Sequence, residues 1–141
     1  MSYGVDIWCT DRIQTGRYAS GRRLLAQAIV RRLETPPGAL EFLVDEDESG
    51  DEHRAYGVGL SDYVGAPDPE AVAASLPEII RSQLLEDERL ADVDVSVAVD
   101  GDVEPALRVS IDVRPADEDD PFTLVLSVSE AAVLLTAAER L

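Results

Sequence analysis

Few side chains in this sequence have the types and spacing that chemistry needs, and the densest group lies between Asp45 and Glu52, where six of eight residues are acidic. Asp45, Asp47, Ser49 and Gly50 fall on positions 1, 3, 5 and 6 of a calcium-binding loop, the positions that supply oxygen ligands and a sharply turning glycine. Position 12 of such a loop must be a bidentate carboxylate; here it is Tyr56, and Pro36-Pro37-Gly38 has already stopped any incoming helix. Without that ligand the run is read as a solvated acidic loop. The single histidine, His53, lies in the same stretch, and the single cysteine, Cys9, follows Trp8. A general base needs an orienting partner and a nucleophile within hydrogen-bond reach, and no spacing puts Cys9 or a serine beside His53. One His and one Cys also fall short of a zinc ligand set, so Cys9 is read as a buried, inert thiol. Gly57-Val58-Gly59 is too short for a phosphate-binding loop and follows an acidic stretch, not a strand. Among 29 acids, two at a glycosidase spacing arise by chance, so such a pair carries no weight. The expectation is a protein that is not an enzyme and has no metal site and no cofactor.

The elements that would position these residues are read from periodicity. Val5 to Cys9 and Thr15 to Tyr18 are predicted to form an N-terminal hairpin with Gly16 in or near its turn. Ser20 is placed to cap a first helix, in which Leu24, Leu25, Ala28, Ile29 and Leu33 form an apolar stripe opposite Arg22, Arg23, Gln27 and Arg31. Thr35-Pro36-Pro37-Gly38 ends it, because proline cannot continue a helix and pushes the preceding residue to extended geometry. Asp68-Pro69-Glu70 opens a second helix with Val72, Leu76, Ile79, Ile80 and Leu84 on one side, and Pro77 either kinks it or opens another helix. The period then changes to two. Val93 to Val99, Leu107 to Val113 and Phe122 to Val128 each alternate apolar with intervening residues, which predicts three strands with one apolar face each. Asp100-Gly101 turns between the first two, and Ser129-Glu130 is expected to open a last helix bearing Val133, Leu134, Ala138 and Leu141. The predicted fold is α+β, a three-stranded antiparallel sheet plus the N-terminal hairpin, covered by two or three helices.

Length and charge bound the rest. At 141 residues and 45% hydrophobic composition the chain suits one domain with a real core. Its net charge of −17 repels phosphate backbones, which argues against nucleic acid as a partner. The longest apolar run, Ala131 to Leu135, is far too short to span a membrane, and Met1-Ser2-Tyr3-Gly4 does not open a signal peptide, so a cytoplasmic protein is expected. The charge is divided along the chain. Residues 1–33 hold six Arg against two acids, a balance of +4, and the remainder stands at −21. The basic start, with Arg22, Arg23 and Arg31 on the first helix, is either a solvated face or a surface that docks on an acidic neighbour.

Several features occur in one order: a hairpin, the Arg-studded helix running into Arg31-Arg32-Leu33-Glu34-Thr35-Pro36-Pro37-Gly38, then Tyr56-Gly57-Val58-Gly59-Leu60, a second helix, and Asp87-Glu88-Arg89-Leu90 leading into Val93-Asp94-Val95. From about residue 5 to about residue 128 this resembles the gene-25-like baseplate wedge family of contractile phage tails, the sheath initiators, with relatives in type VI secretion baseplates and extracellular contractile injection systems. Two departures stand out. Relative to the family the chain carries an acidic insertion at about residues 43–55, and the family's Glu-Pro-Arg signature falls on Asp87-Glu88-Arg89, which keeps the acid and the Arg and loses the proline. The resemblance implies a structural protein, a single gene-25-like domain over 1–141, that links baseplate to sheath and initiates sheath assembly. It implies multiple copies in a sixfold baseplate, assembled in the cytoplasm and carried in a virion or contractile particle. The implied partners are larger wedge proteins and the tail sheath subunit, with inner tube or hub proteins as further neighbours. Arg22, Arg23, Arg31, Asp87, Glu88 and Arg89 are the candidate partner-binding residues, with Asp87 and Arg89 either bracing the helix-to-strand junction or touching a wedge partner. Two alternatives stay open: a lysozyme-like peptidoglycan hydrolase, a label the family has carried, and a small intracellular regulatory binding protein of the same fold.

Overall fold

The computed structural model describes residues 5–7, 18–39, 56–100, 106–116, 120–129 and 133–139. Val5–Ile7 (β1) and Tyr18–Ser20 (β2) pair antiparallel, with Val5 opposite Ser20; the two strands are those of the expected hairpin, the second lying at 18–20 where 15–18 was expected, and residues 8–17 lie outside the described residues. Gly21–Glu34 (α1) follows directly. Its buried residues are Leu24, Leu25, Ala26, Gln27, Ile29, Val30 and Leu33, a wider arc than the predicted stripe. Gln27, expected on the polar face, is only 1% exposed. The reason is that α1 touches the hairpin, the second helix, the last strand and the turn after Gly59, so little of its circumference meets water. The helix stops as its sequence requires: the Thr35 hydroxyl donates to the Arg31 carbonyl at 2.6 Å, and Pro36 and Pro37 take the chain away.

A short 3-10 turn, Leu60–Tyr63, leads to Pro69–Leu84 (α2). The Asp68 carboxylate caps α2 by accepting from the Ala71 N–H at 3.2 Å, with Pro69 in the first turn. Of the two options at Pro77, no new helix begins there; α2 continues through it, burying Leu76, Ile80 and Leu84. Ile79, placed in the predicted stripe, lies at its margin and is 39% exposed.

The sheet comprises Leu90–Asp100 (β3), Ala106–Pro115 (β4), Phe122–Val128 (β5) and Val133–Glu139 (β6), antiparallel throughout in the order β3-β4-β5-β6. Register puts Val93 opposite Val113 and Val113 opposite Phe122, and likewise Val95, Ile111 and Leu124 in one row. These rows face α1 and α2 and form the core with Leu25, Ile29, Leu33, Leu76, Ile80 and Leu84. The three alternating stretches are therefore strands as expected.

The predicted C-terminal helix is corrected: Val133–Glu139 is a fourth strand, pairing Val133 with Val128 and Leu135 with Leu126, with a register shift before Ala137 pairs with Val125. Val133, Leu134 and Ala138 satisfy a helical stripe and a strand equally well over so short a run. A helix of this length gains little from its own hydrogen bonds, whereas pairing satisfies the backbone groups along the second edge of β5. Among the described residues the architecture is α+β, with a four-stranded sheet where three strands were expected and two helices covering it. Among the described residues, no helix is long and apolar enough to cross a membrane.

Candidate functional site

Three segments far apart in sequence meet at one point: the end of α1, residues Tyr56 to Leu60, and the turn from α2 into β3. Val58 and Leu60 point into the core and are 3% and 0% exposed, which holds the segment between them against α1. Its backbone is fixed twice. The Val58 N–H donates to the Arg32 carbonyl at 3.1 Å, and the Gly57 N–H donates to Gln83 Oε1 at 3.2 Å. Arg32 reaches the same glutamine, donating from Nη1 to Gln83 Oε1 at 3.0 Å and to the Gln83 carbonyl at 3.2 Å, while its guanidinium lies 4.5 Å from the centroid of the Tyr56 ring. Gly57 is required by geometry: its φ is +105°, and a Cβ there would stand 2.2 Å from the Thr35 carbonyl oxygen.

The turn from α2 closes the junction. Leu85 N–H donates to the Arg81 carbonyl, Asp87 N–H to that of Leu84, and Leu90 N–H to that of Asp87. The Asp87 carboxylate accepts from the Arg89 backbone N–H at 3.0 Å and from its guanidinium at 2.9 Å through Nε and 2.7 Å through Nη2. The pair is sheltered, with side-chain exposures of 13% for Asp87 and 33% for Arg89. The Arg89 carbonyl in turn accepts from the Ala116 N–H at 2.8 Å, which ties the turn to the end of β4. Burial alone would push the Asp87 carboxyl up; the hydrogen bonds from Arg89, with the charges of Arg89 and Arg32, outweigh it and hold the group below the usual carboxylate range. Tyr56 moves the other way. Its burial raises the phenol, helped by Asp87, and Arg32, Arg31 and Arg89 offset only part of that. Glu34 is raised by burial against the opposing charge of Arg31.

The candidate residues thus divide. Asp87 and Arg89 pair at the junction, Glu88 is exposed between them, and Arg31 lies close enough for its charge to act on Tyr56. Arg22 and Arg23 sit at the opposite end of α1, about 13 Å from Arg31 along the axis at 1.5 Å per residue, so the six do not form one surface patch. Arg23 is exposed and Arg22 half-buried. Arg32 and Tyr56 appear in the sequence only inside the resemblance motifs, and Gln83 carries no signal at all, since its partners are 51 and 26 residues away. The acidic run with Asp45, Asp47, Ser49 and Gly50, and also His53, Cys9 and Gly16, lie outside the described residues. Among the described residues, no group of three or more His, Cys, Asp or Glu side chains is placed to hold a metal ion.

Chemically, the junction is a set of hydrogen bonds that ties the end of α1, Gly57 and Val58 to one another and to Gln83 at the end of α2, with the Asp87–Arg89 pair in the turn that follows. It can orient a surface formed by the end of α1 and the α2–β3 turn. Comparison with the models of known families, with curated proteins and with solved structures finds no match to this chain.

Proposed function

We propose that this chain is a structural wedge component of the baseplate of a contractile phage tail or contractile injection system, and that it links baseplate to sheath and initiates sheath assembly. One observation carries the reading. Of the three segments that resemble the gene-25-like family, Arg31 to Gly38 and Tyr56 to Leu60 are hydrogen-bonded to each other and to Gln83 at the end of α2, and Asp87 to Arg89 follows in the next turn, close enough for the Asp87 charge to act on Tyr56. Their meeting at one place in the fold supports the resemblance. In this role the junction braces the helix-to-strand connection, and the Arg side of α1 faces a larger wedge protein. The sheet supplies the second contact. Subunits of sheath type join by adding a strand to a sheet edge, where backbone hydrogen bonds give affinity, and β6 is the better edge for it: Val133 to Ala138 carries no charge, whereas β3 carries Asp92, Asp94 and Asp100 and an irregularity after Leu90.

The test is deletion of the gene in its host followed by electron microscopy of the particles. Tubes without sheath are expected, and normally sheathed particles overturn the reading. A second measurement addresses the wedge contact: charge reversal at Arg22, Arg23 and Arg31 weakens binding to the wedge protein in a salt-sensitive way, and unchanged affinity at low salt removes α1 from the interface.

A further inference from the structure

We draw no further inference here: the strongest candidate, the shallow groove on the outer face of the sheet where Asp94 stands opposite Asp112 between Asp92, Arg114 and Pro121, is a cluster of acidic side chains with no second observation that names a ligand.

Discussion

One ion pair lies within the connection between α2 and β3 and another bridges its two sides, and they differ in what surrounds them. Asp87 and Arg89 form a closed pair at 2.7 Å, half sheltered, with the carboxylate also taking a backbone N–H and facing Arg32. Arg81 and Asp92 make one contact at 3.1 Å, with side chains 44% and 47% exposed. Water competes for the second pair and much less for the first. The difference teaches that the turn is held by multiplicity and shelter, and that charge pairing on its own contributes little at this surface.

If the closed junction is what positions the α2–β3 turn, its most damaging change is Gly57→Ala. A side chain there meets the Thr35 carbonyl in a backbone conformation that non-glycine residues rarely adopt, and the expected loss is about 3 kcal/mol from strain and forced separation of the segment from α1. Urea unfolding measures it; a loss below about 1 kcal/mol would show that the segment shifts freely.

Asp87→Ala comes next. It removes the carboxylate that accepts from the Arg89 backbone N–H and guanidinium, and about 2 kcal/mol is expected to be lost, less than for a fully buried pair because Arg89 keeps partial access to water. The same pair makes a pH prediction. Asp87 is depressed in the folded chain, so its contribution is fully present above the unfolded carboxylate value of about 3.9 and is lost as pH falls through the folded value. The stability gap between wild type and Asp87→Ala is therefore flat from neutral pH down to about 5 and closes below about 4. A gap independent of pH down to 2 would mean that the charge plays no part.

Gln83→Ala leaves the Gly57 N–H without its acceptor and frees Arg32 from two hydrogen bonds. A loss of about 1 kcal/mol is expected, together with faster hydrogen exchange at the Gly57 amide. Asp92→Ala is the smallest, at about 0.5 kcal/mol or less, and 1 M salt erases it while leaving the Asp87 effect largely intact. Equal salt sensitivity at both pairs would dissolve the contrast between them.

Among the described residues, the β1–β2 pair, α1, α2 and the strands β3, β4 and β5 are legible because each is written in local periodicity and in stop signals such as Thr35-Pro36-Pro37 and Asp68-Pro69. The apolar spacing of Val133–Glu139 suits a helix and a strand alike, and only the backbone of β5 distinguishes them. Gln27 differs from expectation for a related reason: helical spacing gives one buried arc, while α1 is covered from several directions. At the junction, Asp87 and Arg89 stand out in the sequence through the resemblance, two residues apart. Gln83 was invisible, since a polar residue on a helix surface looks alike whether it faces water or two distant partners.

The sequence by itself determined the α+β class, the apolar faces and the division of charge between a basic start and an acidic remainder, because these depend on neighbours within a few residues. Tertiary structure decided the fourth strand, the burial of Gln27 and the meeting of Arg32, Tyr56, Gly57, Gln83, Asp87 and Arg89. Those outcomes depend on which distant backbone groups are left to be satisfied once the core has closed, a quantity that no local pattern contains.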